Sequence, residues 1–172
     1  MYIPNTTYLE KGMSITYKDI KAAKEALDKK VFDREGELRG YILNLKNYYQ
    51  ESLFLDNYQW YDRSNRGHDY VQLGEMTLNG FVETPVVRLK MNKEREIHFA
   101  IATVIDDEPQ NAGDAYIIEM AIHALEGDAF IRMVGHNKEI RVAMPKEKEA
   151  FHDVCAIMKQ VIVNGLTDHR LD

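Results

Sequence analysis

Four fixed cations recur at alternate positions in the second half of this chain, Arg88 and Lys90, then Arg132 and Arg141, and Phe130, His98 and His123 share their parity. Residues two apart along an extended chain emerge on one face. Cations on such a face follow phosphates and release counterions, while exposed rings stack on bases whatever the sequence. A second group, Trp60, Tyr61, Arg63 and Arg66, falls in an aromatic and polar stretch over 51–70 that keeps no period. Together these eleven residues define the chemistry of a groove for single-stranded DNA or RNA. The blander account is a half-solvated sheet, where Arg and Lys are ordinary choices for the wet side, with Trp60 folded into the core.

Catalytic patterns are sparse. Asp106-Asp107-Glu108 could hold a divalent cation in a nuclease-like, metal-dependent site, although acidic triplets in loops are far more often solvated turns. His68-Asp69 offers an oriented imidazole, and His98 with His123 a possible acid–base pair. The six histidines share no metal-ligand spacing, and the lone Cys155 excludes a thiolate zinc cluster. There is no phosphate-binding glycine loop, dinucleotide fingerprint or nucleophile elbow. The expectation is therefore a non-enzymatic protein with no metal and no cofactor.

Composition bounds the partners. The chain has 172 residues, 45% of them hydrophobic, and 28 acidic against 22 basic side chains give a net charge of −6. An acidic balance argues against nucleic-acid binding through the overall field but leaves the distribution of charge between faces open. The second partner class is accordingly another protein, with this chain as a small acidic regulator or inhibitor docking on a larger one. No apolar run approaches the roughly 20 residues that span a bilayer, and the start of the chain lacks the features of a signal peptide. With one cysteine and no disulfide, the expected setting is cytoplasmic, away from membranes.

The elements that must position these residues read as an α+β fold, an antiparallel β-meander with a C-terminal helix packed on one face and N-terminal helices. The expected organisation is a single domain over 1–172, helical over 1–50, an aromatic loop over 51–70, and sheet plus C-terminal helix over 82–164. Thr16 and Asp19 form a capping box ahead of a helical stripe of Ile20, Ala23, Leu27 and Val31. Asp33 is placed to cap a second helix with the stripe Leu38, Tyr41, Ile42, Leu45 and Tyr49, which Gly36 and Gly40 weaken. Strands are expected over 82–91, with Pro85 at an edge or start, and over 96–105, with a turn at 92–94 between them. Residues 115–125 fit either strand or helix; aromatic and β-branched content favours strand. Turns at Glu126-Gly127-Asp128 and Gly135-His136-Asn137 mark hairpins. Pro145 opens the last helix, whose stripe is Phe151, Val154, Cys155, Met158, Val161 and Ile162, and Asn164-Gly165 stops it.

Strand parity then sorts the side chains. The covered set is Val87, Leu89, Met91, Ile97, Phe99, Ile101, Tyr116, Ile118, Met120, Ile131, Met133, Ile140, Val142 and Met144; the bare face carries the cations named above. Over residues 82–164 the order of elements, four or five antiparallel strands followed by one long helix, resembles Whirly-type and PUR-type single-strand binding domains. The resemblance lies in topology alone, so no site residue is carried over from it. Pro85 near one edge and an apolar helix at the other end imply a homo-oligomer.

Overall fold

A computed structural model of the chain describes residues 14–110, 113–167 and 169–171. The chain divides into two compact units, Met1–Gly36 and Glu37–Asp172, and the division falls within the first helix.

That helix, α1 (Tyr17–Ser52), is continuous over 36 residues. Its start is the expected capping box: Thr16 N–H donates to the Asp19 carboxylate at 2.8 Å, and Asp19 N–H donates back to the Thr16 hydroxyl at 3.4 Å. The expected break at Asp33 does not occur. Asp33 lies 4.0 Å from Lys29 in an i,i+4 pair, following Lys21–Glu25 at 3.9 Å and Lys24–Asp28. Such pairs support a helix by about 0.2–0.5 kcal/mol each. Gly36 and Gly40 oppose it by about 1 kcal/mol each. The balance is decided downstream, where Leu38, Tyr41, Ile42, Leu45 and Tyr49 are all buried; each large side chain so buried contributes roughly 1.5–3 kcal/mol. Burial by tertiary structure outweighs the local penalty of two glycines.

In the second unit, β1 (Gln59–Tyr61) and β2 (Gly67–Asp69) form a small hairpin inside the stretch expected to be a loop. The main sheet comprises β3 (Val71–Thr77), β4 (Gly80–Glu83), β5 (Ile97–Asp106), β6 (Asp114–Leu125), β7 (Asp128–Met133) and β8 (Glu139–Val142). Its six strands are all antiparallel in the order β4-β3-β5-β6-β7-β8. The antiparallel meander is thus present, and residues 115–125 are strand. The β6–β7 turn places Glu126 at φ 51° and Gly127 at φ 87°, the paired left-handed conformations of a tight hairpin.

Residues 82–91 depart from the expected strand. Thr84 N–H still donates to Leu73 C=O at 3.0 Å, but Pro85 has no N–H to continue the ladder. The chain leaves the sheet there, makes a 3₁₀ turn over Val86–Arg88, and is held to α1 by the Arg39 guanidinium, which donates to Leu89 C=O at 2.8 and 2.7 Å. Leu89 is fully buried, whereas Val87, expected in the core, is 68% exposed.

The last helix, α2 (His152–Leu166), follows a 3₁₀ turn over Lys148–Phe151 rather than starting at Pro145. Gly165 lies within it instead of ending it. A Cβ there would stand 2.3 Å from the Tyr116 hydroxyl, so the residue marks a close approach of helix and sheet. One sheet face carries Ile97, Phe99, Ile101, Ile118, Met120, Ile122, Ala129, Ile131, Met133 and Val142 into the core, against Phe151, Val154, Cys155, Met158 and Ile162 of the C-terminal segment and against Leu38–Tyr49 of α1. The expectation had α2 alone as the cover; two helical segments share it. Met144, expected among the covered set, is 67% exposed.

Candidate binding surfaces

On the face opposite those helices, strand register places residues in rows. His98, Ala121, Arg132 and Glu139 run across β5 to β8, and beside them His123, Phe130 and Arg141 run across β6 to β8. Glu96, one residue ahead of β5, reaches into both rows. Its carboxylate meets Arg132 Nη2 at 3.1 Å, His98 Nε2 at 3.4 Å and His123 Nδ1 at 4.0 Å. Arg141 is held by Asp128 across the β7–β8 ladder, at 2.6 Å from Nε and 2.5 Å from Nη2. The His123 and Phe130 rings stack in parallel, centroids 5.1 Å apart and planes 9° from each other. Arg141 lies directly across the strand from Phe130.

Sequence parity thus does bring Arg132, Arg141, His98, His123 and Phe130 together on one face. Sequence reasoning missed Glu96 and Asp128, which sit among them. Their parity with His98 and with Phe130 and Arg132 was the signal that could have found them; alternation places them on the face, and only the strand pairing shows which cation each one meets. With Glu119 and Glu139 on the same side, the two arginines of these rows stand among four carboxylates, Glu96, Glu119, Asp128 and Glu139.

Arg88 and Lys90 are exposed, but they flank buried Leu89 on the segment that has left the sheet, so they do not join this face. The β1–β2 hairpin separates its members too. Tyr61, Arg63 and Arg66 are exposed. Trp60 is 7% exposed; its indole stacks on His68 with centroids 4.9 Å apart. It lies so close to Gly113 that a Cβ there would fall 2.1 Å from the ring. Its Nε1–H is buried and finds no hydrogen-bond partner among the described residues.

The carboxylate candidates are engaged locally. His68 faces Asp62 at 3.0 Å rather than its sequence neighbour Asp69, which accepts from the Gln59 amide at 3.1 Å. That hydrogen bond from His68, with backbone N–H groups of Arg66 and Ser64, holds the Asp62 carboxyl below the usual carboxylate range. Asp106 accepts from Glu108 N–H at 3.0 Å, and Asp107 accepts from the Tyr70 hydroxyl, which pushes that phenol above its ordinary value. Among the described residues no group of three His, Cys, Asp or Glu side chains is disposed to hold a metal ion. Cys155 is buried, and burial pushes its thiol up to about 12. In the Glu37–Asp172 unit, a concavity of about 450 Å³ lies between α1 and the β3–β4 edge, lined by Leu43, Lys46, Asp69, Glu83, Thr84 and Val86 among others.

A different surface belongs to the Met1–Gly36 unit. Along the first part of α1, Tyr17 is 80% exposed, Ile20 60%, Leu27 49% and Phe32 73%. No helix among the described residues is long and apolar enough to cross a membrane. Comparison with protein families, curated proteins and solved structures finds no match.

Proposed function

We propose that this chain is a non-catalytic protein-interaction module, an acidic α+β domain whose first helix supplies an apolar contact surface. The observation that carries this reading is the exposure of Tyr17, Ile20, Leu27 and Phe32 on a helix whose later residues, Leu38 to Tyr49, are core. Tyr17, Ile20 and Leu27 fall on one side of the helix and Phe32 on another, and exposed apolar side chains grouped in this way mark a contact surface more often than chance placement does. The acidic balance of the chain and its single buried cysteine are in keeping with a regulator working in a reducing, cytoplasmic setting.

Single-stranded DNA or RNA is the second reading, favoured by the shared face of Arg132, Arg141, His98, His123 and Phe130. It ranks below the first because each arginine there is already matched by a carboxylate, and phosphates gain most from cations whose charge is not offset. The Phe130 ring also has His123 on one side and Arg141 next to it, which leaves little ring face for a base.

The two readings separate by fluorescence anisotropy of a labelled oligonucleotide at low and moderate salt, run beside cross-linking of the intact chain in host lysate. The module reading expects no anisotropy change at either salt, and cross-linked protein products that Leu27→Glu abolishes. Salt-sensitive oligonucleotide binding weakened by Arg132→Ala and Arg141→Ala would replace it with the second reading.

A further inference from the structure

β3 is paired with β5 from Val71 to Gly74, but β4 covers its other edge only from Gly74 to Thr77, with one more bond from Thr84 N–H to Leu73 C=O at 3.0 Å. Pro85 then leads the chain away, and the uncovered edge faces the concavity of about 450 Å³ beside α1. Backbone polar groups point to alternate edges along a strand. Val104 N–H donates to Tyr70 C=O on the β5 side at 2.9 Å, so the N–H and C=O of Val71 point to the side that β4 has left. Among the described residues neither group meets a hydrogen-bond partner. Val71 is 1% exposed, and a buried backbone pair without partners is rare in native proteins. We infer that this edge is a binding site for an extended peptide of another protein, which pairs with Val71 in the place β4 vacates at Pro85.

The chemistry of the edge selects a peptide. One residue of an extended chain set opposite Val71 accepts from its N–H and donates to its C=O at once, as in any antiparallel pair. A carboxylate or phosphate group offers acceptors only. The walls then set the side chains. Val71 and Leu73 pack on the core face, and with Leu43 and Val86 they line the concavity with apolar surface, so the peptide residue turned that way is apolar. Lys46, half-buried in the same wall, has no ion pair among the described residues. It selects a carboxylate two places along the peptide, on the same face. Of the acidic residues that also line the site, Asp69 already accepts from the Gln59 amide at 3.1 Å and Glu83 is exposed on the far strand. At the rim Leu43 is 42% exposed and Pro85 is exposed, which opens the concavity to a chain from solvent. All of these residues belong to the Glu37–Asp172 unit, so the site goes beyond the module reading and does not depend on it.

Titration of the intact chain with a capped hexapeptide of alternating threonine and valine, one valine replaced by aspartate, tests this by NMR. In the free chain the Val71 amide proton should show the large temperature coefficient of an unbonded group. The peptide should move it downfield and reduce that coefficient, with nuclear Overhauser contacts from Val71 to the peptide backbone. The same peptide with N-methylated amides should not bind. Lys46→Glu should weaken binding by about tenfold, an attraction becoming a repulsion, and lysine in place of the peptide aspartate should restore it. Leu27→Glu should change nothing here, which keeps this test separate from that of the module reading. No shift with the aspartate peptide, equal binding of the N-methylated form, or indifference to Lys46→Glu would each overturn the inference. So would a Val71 amide already bonded in the free chain, to water if its coefficient is small at every concentration, or to a second copy if it falls as the protein is concentrated.

Discussion

Tyr49 and Thr103 join a helix to a strand through one buried hydrogen bond of 2.8 Å between hydroxyls. Burial raises the Tyr49 phenol above its ordinary value, with the Thr103 hydrogen bond acting the other way, so the group stays neutral and serves as a fixed polar link within an apolar interface. Removing one partner strands the other. Tyr49→Phe should cost about 1–3 kcal/mol, because the Thr103 hydroxyl is left unpaired and desolvated. Tyr49→Phe with Thr103→Val should lose less than the two single changes combined. Urea denaturation of the four proteins measures the coupling; strict additivity would show that the hydroxyls do not depend on each other.

Elements respond to glycine according to what surrounds each one. Gly36 and Gly40 sit inside α1, and a Cβ at either would meet nothing within 4 Å. Each Gly→Ala change should therefore stabilise by about 0.5–1 kcal/mol, through the smaller conformational freedom of the unfolded chain. Gly74 in β3 is the opposite case. A Cβ there would stand 2.1 Å from Val82 C=O and 2.8 Å from the Phe81 ring, across the β3–β4 ladder. Gly74→Ala should cost about 1–3 kcal/mol, since backbone must move to admit the methyl group. Thermal unfolding of the three variants should rise, rise and fall; a fall for Gly40→Ala would mean that its backbone is not free to take alanine.

At the scale of the whole molecule, Cys155 reports on the integrity of the core. Its side chain is 1% exposed and burial pushes its thiol up to about 12, so at neutral pH both access and thiolate are lacking. Labelling by an aromatic disulfide reagent should run slower than in denaturant by on the order of a thousandfold or more, limited by opening of the domain. Rapid labelling of the native chain would mean that α2 opens readily from the sheet.

Much of the fold was legible in the sequence because it rests on local and periodic signals. The capping box at Thr16 and Asp19, the period-two pattern of β5, the hairpin turns at Gly127 and Gly135 and the apolar stripe of α2 each need only neighbouring residues to be recognised. Parity likewise placed Arg132, Arg141, His98, His123 and Phe130 on one face. Tertiary structure decided the rest. It joined two expected helices into one, because burial of Leu38 to Tyr49 exceeds the cost of Gly36 and Gly40, and it took Arg88 and Lys90 off the sheet, because Pro85 ends a ladder that Arg39 then replaces with a contact to α1. It also set Glu96 and Asp128 beside the arginines and put Trp60 under Gly113. Charge pairing and ring burial depend on which strands become neighbours, and that information is absent from any single stretch of chain.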